Sequence, residues 1–569
     1  MKKILSFLML FLLLTGTFSC KKDFLDETPL DFLSAKNAFK TTSDFQASVN
    51  NLYRLVRQEL YTLNDNDPME YQYRTDLAFY VPAAFPANLS GEINPNSSIM
   101  TNHWRALYKI VAEANTVIAR IPASEMSAAD KLLFEARGRF FRAFAYRCLA
   151  YVWGGVPLEL NEVTDPKVDY VRATRKEVYT QVIADLTFAA VNLPAITATT
   201  VKDGEVTSQA ANHLLAEVYV ADGQFQNAVT AASAVINSTG MAMMTSRFGS
   251  RRTEVPGDVY WDLFRKNNQN RKNGSGNTES IWVIQIETDV PGGAAISTTS
   301  FASGDGFSLE RVHAPLVRDL TVNNVAAFRW PTSDYTGGRG VGFWAPSKYF
   351  IDSVYAGDPV NDIRNANHNF VRKFKASNPS SPLLNTDIDF HNLPANTKGT
   401  SGATLTSGVP SRAFYPYSTK CTEPGGHPSN LYSGAYPQAL KGGAGFTYQD
   451  QYLIRLAETY LLRAEAYLGA SNPTLAANDI NVVRARSGAS AVAPANVTID
   501  YILDERIREL GVEEKRLFTL MRLNKWYDRV VKCNPFYASA AQTKYNLWPI
   551  PQSEIERNRG AVLAQNPGY

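Results

Sequence analysis

Ala-Glu-Val-Tyr-Val-Ala-Asp-Gly-Gln-Phe-Gln-Asn-Ala occupies residues 216–228, and a related stretch, Ala-Glu-Ala-Tyr-Leu-Gly, occupies residues 464–469. The first has small residues at 216, 223 and 228 and aromatic residues at 219 and 225. The second precedes a helical segment containing Ala476 and Ala477. Small residues allow two helices to approach closely while an aromatic side chain fills the groove beside them. This pattern is typical of tetratricopeptide (TPR) repeats, with a period of about 34 residues, and predicts stacked helix pairs.

Segments of helical character surround these two stretches and predict a mainly α-helical protein. They lie at about 34–60, 102–121, 130–153, 174–191, 207–238 and 450–531. Two further candidate units pair 34–60 with 102–121 and 130–153 with 174–191, which makes about four TPR-like units. Because one helix pair cannot bury its apolar face alone, the units must stack and share a core.

A long region between the two repeats has a different composition. Residues 241–448 are rich in Gly, Asn, Ser, Thr and Pro and contain short strand-like runs such as 281–286. We therefore predict a loop-rich, ligand-binding insertion there. It separates an N-terminal TPR-like helical region at 34–240 from C-terminal TPR-like helices and a tail at 449–569. Trp282, within the apolar run, is expected in the core.

The N-terminus has the features of an export signal. Lys2 and Lys3 precede an apolar stretch at 4–14, which is too short to cross a bilayer core of ~30 Å. Small residues then complete the pattern of a cleaved signal peptide at 1–19; a buried N-terminal helix would need a polar face that the stretch lacks. Cys20 resembles a bacterial lipoprotein acylation site, so 20–33 is predicted to be a lipidated tether, since two acyl chains anchor stably.

Charge and cysteine content narrow the class of protein. The formal net charge is +3, and it falls to +1 once Lys2 and Lys3 are removed with the signal peptide. A near-neutral chain argues against nucleic acid as a partner, because phosphate binding needs clustered positive charge. Cys148, Cys421 and Cys533 remain, and an odd number does not make a disulfide framework. Cys148 is predicted to be a small buried hydrophobe, whereas a Cys421–Cys533 bridge stays open.

Several short motifs recur in a fixed order along the chain. They are FLDETP at 24–29, EARGRFFRA at 135–143, WGGVPL at 153–158, RLAETYLLRAEAY at 455–467, INVVRARSG at 480–488, ILDERIREL at 502–510, LWPIP at 547–551 and QNPGY at 565–569. Together they resemble the SusD/RagB family of outer-membrane nutrient-binding lipoproteins.

The resemblance implies both a fold and a role. The fold is a set of TPR-like helix pairs with an irregular ligand-binding part. The role is that of a lipid-anchored cell-surface protein, which captures oligosaccharides and passes them to a SusC-like TonB-dependent transporter in the outer membrane. Some branches capture peptides instead, and the residues do not separate these ligands. A TPR scaffold with only protein partners would not need the long aromatic-bearing insertion.

Aromatic residues in the insertion suggest where a sugar could bind. The candidates are Trp330, Tyr335, Arg339, Phe343 and Trp344, which lie among Pro, Gly, Ser and charged residues. A pyranose has apolar C–H faces and polar hydroxyls, so large rings next to Arg, Asn and Asp suit it. The alternative is that these rings pack the loops against the scaffold.

A second candidate surface lies in the loop after the first helix. Its residues are Tyr71, Tyr73, Arg74, Asp76 and Tyr80. The resemblance implies that this loop lies near the ligand face. Trp104, which follows it, is expected to anchor the next helix.

Motifs for catalysis and metal binding are weak. Glu458 and Glu465 share a helix face but sit ~10 Å apart along the axis, within the repeat core. Gly338, Gly340 and Gly342 imitate part of a phosphate-binding loop, but without a strand–loop–helix context they predict a flexible turn. The histidines do not pair at metal-ligand spacing, and the acidic runs at 64–67 and 387–389 lack the rest of a calcium loop. We expect no enzyme and no cofactor, although a structural calcium ion stays open and a surface glycan hydrolase is the weaker alternative.

Overall fold

The computed structural model describes residues 38–61, 67–81, 87–286, 288, 307–422 and 424–569. Helices dominate both ends of this range, whereas 241–448 carries mostly short strands and turns. The described helices are α1 Thr42–Tyr61, α2 Leu89–Glu92, α3 Ser98–Arg120, α4 Ala128–Trp153, α5 Arg175–Asn192, α6 Ser208–Ala221, α7 Phe225–Ile236, α8 Val259–Leu263, α9 Leu309–His313, α10 Lys348–Ile351, α11 Leu456–Gly469, α12 Pro473–Arg486, α13 Ile499–Glu509, α14 Arg516–Arg522, α15 Trp526–Cys533, α16 Pro535–Ala538 and α17 Gln552–Arg557. The mainly α-helical fold with a loop-rich insertion is therefore confirmed.

The helices of the scaffold begin at residues that cap them well. Ser127 and Thr207 accept hydrogen bonds from backbone N–H groups at the starts of α4 and α6. Thr174 and Glu177 form a reciprocal capping box at α5, which satisfies N–H groups that the helix itself leaves unpaired. Helix α4 packs between α3 and α5, so most of its last five turns is buried.

The two repeat stretches found in the sequence pack against each other. Helices α6 and α7 form one hairpin, α11 and α12 form another, and α11 lies on α7. The ring of Phe225 sits where a side chain on Gly469 would collide with it. The predicted small-residue and aromatic arrangement therefore joins neighbouring repeats.

Two boundaries differ from the prediction. Helix α1 begins at Thr42, and the predicted residues 34–37 lie outside the described residues. The predicted helical segment 450–531 begins instead with a strand, Gln451–Arg455. This strand pairs antiparallel with Ser280–Ile284, because pairing with a buried strand outweighs local helix preference.

The described strands form small sheets, and all but β1 and β11 lie within the insertion. They are β1 Ala78–Tyr80, β2 Ser280–Ile284, β3 Thr321–Val322, β4 Val325–Ala326, β5 Trp344–Pro346, β6 Phe370–Val371, β7 Lys373–Lys375, β8 Asp387–Asp389, β9 Thr397–Lys398, β10 Tyr417–Ser418 and β11 Gln451–Arg455. Their order is β1–β5, β10–β6, β11–β2, β4–β3–β9 and β7–β8, all antiparallel. Trp282 on β2 is buried against Phe140 and Phe144 of α4, which confirms its predicted place in the core.

Buried ion pairs join the C-terminal helices to the insertion. The Glu505 carboxylate lies 2.8 Å from Arg364 and 2.8 Å from Arg484. Glu509 lies 2.5 Å from Arg455 and 3.1 Å from Arg364. Burial opposes ionisation, but the surrounding arginines lower the pKa of Glu505 to about 2. The motif at 502–510 therefore serves packing between distant parts of the chain.

Charged side chains of the repeat helices pair with residues on other helices. Arg463 pairs with Asp479 on the next helix at 2.7 Å. Glu465 pairs with Arg522 at 2.7 Å. Glu458 pairs with Arg506 at 2.6 Å. These side chains therefore connect helices instead of bracing single ones.

The remaining cysteine and membrane predictions can be placed. Cys148, Cys421 and Cys533 are buried free thiols, so the Cys421–Cys533 bridge that the sequence left open is not formed. Trp104 is buried against Trp153 at a centroid separation of 5.4 Å, as expected of a helix anchor. Within the described ranges, every helix is too short or too polar to cross a lipid bilayer. The predicted signal peptide and Cys20 lie outside the described residues.

Candidate functional site

A cleft opens on the insertion beside the loop that carries Trp330. It contains about 500 Å³ of empty space continuous with solvent. Its charged and aromatic lining residues are Arg311, Arg318, Trp330, Arg339 and Arg412, and we call this group the Arg–Trp cleft. The lining residues come from four separate stretches of the chain, so the fold assembles the cleft.

Close backbone packing fixes one wall of the Arg–Trp cleft. The Val341 N–H donates to the Arg311 carbonyl at 2.9 Å, and the Arg412 Nε donates to the Val341 carbonyl at 3.0 Å. A side chain at Gly340 would collide with the Pro315 carbonyl oxygen. The glycine-rich stretch is therefore closely packed, which corrects the expectation of a flexible turn.

The Trp330 side chain stands at the mouth of the cleft, 55% exposed. The guanidinium carbons of Arg318 and Arg339 lie 5.2 Å and 4.9 Å from its ring centroid. These distances fall within the range of cation–π attraction. Backbone contacts hold the loop, since the Leu440 N–H donates to the Thr332 carbonyl at 3.0 Å and the Tyr436 hydroxyl donates to the Pro331 carbonyl.

A buried charged triad supports the loop from below. His427 Nε2 lies 2.9 Å from the Glu310 carboxylate, and its Nδ1 lies 3.5 Å from Asp334. Burial disfavours the imidazolium, but the two carboxylates outweigh it and raise the pKa of His427 to about 10. Asp334 also accepts from the Gly425 N–H and the Tyr432 hydroxyl, each at 2.7 Å. The protonated histidine thus ties α9 to the stretch that follows Trp330.

The structure brings some of the predicted insertion residues together and separates others. Trp330 and Arg339 both line the cleft. Phe343 is half-buried between Tyr80, at 5.6 Å, and Arg412, at 5.1 Å. Tyr335 is 52% exposed, but its hydroxyl lies beside Gly425, outside the cleft lining.

Trp344 does not face a ligand. Its side chain is 1% exposed and packs at 4.8 Å against the ring of His313. Strand β5 pairs with β1, placing Trp344 opposite Tyr80, and this pairing turns the indole inward. A buried ring offers no open face, so its predicted role in sugar binding is wrong.

Most of the second predicted surface is also buried. The Tyr71 hydroxyl donates to Glu59 inside the core. Tyr73 is buried with its ring 5.4 Å from Tyr80. Neither Tyr71 nor Tyr73 can contact a ligand at the surface, and their predicted binding role is wrong.

The charged residues of that loop are engaged inside the protein. Arg74 pairs with Glu70 and Glu92. Asp76 contacts Arg516 at 2.7 Å and Arg529 at 2.8 Å. Although burial opposes ionisation, the two arginines lower the pKa of Asp76 to about 2. Asp76 therefore holds the loop to the C-terminal helices, Arg74 holds it to neighbouring N-terminal residues, and neither is free for a ligand.

Tyr80 is the one predicted residue of the early loop that reaches the cleft side of the molecule. It is half-buried, and it is linked through Phe343 to Arg412. The two surfaces predicted separately from the sequence thus meet at the β1–β5 pair.

Sequence reasoning missed three of the cleft arginines. These are Arg311, Arg318 and Arg412. They lie outside the aromatic-rich stretch around Trp330, and no local motif marks them. Only the fold brings them together. Among the described residues no group of three His, Cys, Asp or Glu side chains could hold a metal ion.

Comparison with family models identifies the class of protein. The model described as the SusD family matches residues 278–569. A second model, described as starch-binding associating with outer membrane, matches residues 23–220. The chain belongs to the SusD family, which confirms the resemblance seen in its motifs.

Individual relatives agree with this assignment. The SusD-like protein P2 of Formosa agariphila is 25% identical over the full length of both chains. A SusD-like protein of Bacteroides ovatus is 25% identical over 90% of this chain and 79% of its own.

Solved structures share the fold. A laminarin-binding SusD-like protein superposes with a TM-score of 0.65 at 22% identity, covering 93% of this chain and 100% of its own. Surface glycan-binding protein A of Bacteroides thetaiotaomicron, solved with laminarihexaose, gives a TM-score of 0.64 at 19% identity and covers 92% of this chain and 99% of its own.

Proposed function

We propose that this protein binds glycans at the Arg–Trp cleft and delivers them to a SusC-like TonB-dependent transporter in the outer membrane. The observation that carries the proposal is the exposed Trp330 ring with guanidinium groups beside it, on a closely packed wall. Two proteins of similar structure, one that binds laminarin and one solved with laminarihexaose, support a glycan as ligand.

The chemistry of the cleft suits a sugar. An exposed indole presents an apolar surface to the C–H faces of a pyranose. Arg339 and Arg318 supply N–H donors for hydroxyl oxygens next to that surface. A shallow site of this kind favours weak, reversible binding, and tethering to a transporter would raise the effective concentration of ligand at the pore.

The lining of the cleft favours binding over hydrolysis. Glycoside hydrolysis uses two carboxylates about 5–10 Å apart across the scissile bond. The described residues that line the cleft include no Asp or Glu. Glu310 and Asp334 lie behind the wall, buried against His427.

Location at the cell surface completes the proposal. The predicted signal peptide and Cys20 support lipid anchoring. The match to a family described as associating with the outer membrane supports that membrane as the site of the anchor. We place the protein there, facing outward, with the glycan ligand and the transporter as its two partners.

A binding experiment with one substitution tests this proposal. A soluble form beginning at Lys21 is titrated by calorimetry with neutral and charged oligosaccharides and with peptides. Trp330→Ala should weaken glycan binding about tenfold, since stacked rings contribute ~1 kcal/mol or more, and should leave the melting temperature unchanged because the ring is exposed.

The matched control is Tyr335→Ala, which removes a similarly exposed ring outside the cleft lining. It should leave affinity within about twofold of the unaltered protein, since removing a ring that does not touch the ligand costs no contact. If peptides bind and glycans do not, or if Trp330→Ala binds normally, the proposed site is wrong.

A further inference from the structure

The Arg–Trp cleft concentrates positive charge on a chain whose overall charge is nearly balanced. The formal net charge is only +3 over 569 residues. Yet four arginines line this one cleft, and its described lining residues carry no carboxylate. A surface built for neutral sugar hydroxyls alone would not need so uniform a sign.

Arg339 shows most clearly that the positive charge lacks a counterpart. Its Nη1 donates to the Lys441 carbonyl at 3.3 Å, but its buried Nε has no hydrogen-bond partner. Burial, and then the nearby charges of Arg311 and Arg318, lower the pKa of Arg339. An anion in the cleft would offset this repulsion.

Arg318 and Arg412 are likewise weakly matched by acidic side chains. The only described carboxylate paired with Arg318 is that of its chain neighbour Asp319, at 3.5 Å with both side chains partly exposed. The Arg412 Nε donates a hydrogen bond to the Val341 carbonyl, and Arg412 forms no ion pair with a described residue. Exposed pairs such as Arg318–Asp319 contribute little, so a ligand anion can compete for the guanidinium.

Several buried arginines elsewhere in the protein are matched by carboxylates. Arg455 contacts Glu509 and Glu513, Arg516 contacts Asp76, and Arg364 contacts Asp362 and Glu505. Carboxylates are therefore available in this chain to pair with buried arginines, yet none of the described residues that line the cleft is an Asp or Glu.

We propose that the Arg–Trp cleft binds an anionic substituent of a glycan, namely a sulfate ester or a uronate carboxylate. This inference rests on the proposed function and adds the class of ligand. A planar guanidinium matches the oxygens of either anion with parallel hydrogen bonds. Trp330 then contacts the sugar ring that bears the charged group.

Matched oligosaccharides test the charge preference. The full chain from Lys21 is titrated with κ-carrageenan oligosaccharides and their desulfated forms, and with oligogalacturonates and their methyl esters. The charged member of at least one pair should bind about tenfold or more tightly than its neutral partner, as expected of charge-assisted bonds. A difference in the carrageenan pair identifies sulfate as the bound group, and a difference in the galacturonate pair identifies carboxylate.

Substitutions locate the preference in the cleft. Arg339→Gln and, separately, the more exposed Arg318→Gln should each reduce the charged-to-neutral ratio severalfold, while Arg339→Lys should retain part of it. Arg252→Gln, at an exposed arginine outside the cleft lining, removes the same charge and should leave the ratio unchanged.

The outcomes separate this inference from the proposed function. Equal binding of charged and neutral members, lost in Trp330→Ala, overturns the anionic class and keeps glycan binding at the cleft. A charge preference that survives both Arg→Gln substitutions overturns the assignment to this cleft. No Trp330-dependent binding to any glycan overturns the proposed function itself.

Discussion

Two groups of arginines in this protein occupy contrasting environments. At the junction of the C-terminal helices with the insertion, Arg455, Arg486 and Arg364 are buried and each contacts at least one glutamate. In the Arg–Trp cleft, Arg318 and Arg339 lie over an exposed indole, and the described lining carries no acid. Arginines whose charge is matched inside the protein serve its folding, and those left unmatched at a cleft remain available for a ligand.

The largest expected effect is on the free energy of unfolding, when one arginine from each group is replaced by glutamine. Arg455→Gln would leave Glu509 and Glu513 without one of their partners in the interior, so we expect the free energy of unfolding to fall by about 3–5 kcal/mol. Arg318→Gln removes a half-exposed guanidinium and should change it by less than about 1 kcal/mol.

Urea denaturation followed by circular dichroism measures both changes. Equal losses of stability in the two variants would break the comparison, because the cleft arginine would then be structural as well.

A smaller expected effect is the pH dependence of stability that His427 contributes through its pairing behind the cleft wall. The pKa of His427, about 10 in the folded protein, lies above the ordinary value of 6.5. Its pairing therefore stabilises the fold fully below pH 6.5, and this contribution is lost as the pH rises towards 10. The stability difference between the unaltered protein and His427→Asn should shrink over that range, by at most about 1.4 kcal/mol per pH unit.

Unfolding free energies measured at several pH values check this prediction. His391→Asn, at an exposed histidine paired with Asp352, is the control and should show no comparable shrinkage. A constant difference between the unaltered protein and His427→Asn from pH 6.5 to 10 would contradict the buried imidazolium.

The sequence predicted structure correctly where the deciding residues are close together in the chain. The repeat stretches at 216–228 and 464–469 formed helix hairpins, because small residues act on the adjacent helix, as Gly469 does for Phe225. The Pro and Gly residues around Trp330 predict irregular structure there, and its ring is exposed; its role in binding stays a prediction.

The same local reasoning failed where distant residues decide burial. Trp344 has a similar neighbourhood, yet pairing of β5 with β1 turns it inward. Asp76 looked like part of a polar loop, but its partners Arg516 and Arg529 lie more than 400 residues along the chain. One sequence alone does not reveal such pairings, and for the same reason it did not reveal the cleft arginines.

The central claim is that the exposed Trp330 ring, Arg318 and Arg339 form one glycan-binding site. The most direct test is a crystal structure of the chain from Lys21 with the tightest-binding oligosaccharide of the matched panel. We predict density for a sugar ring against Trp330, with its sulfate or carboxylate oxygens within hydrogen-bond distance of Arg339 or Arg318. Ordered sugar elsewhere on the surface, with the Arg–Trp cleft empty, would contradict the account.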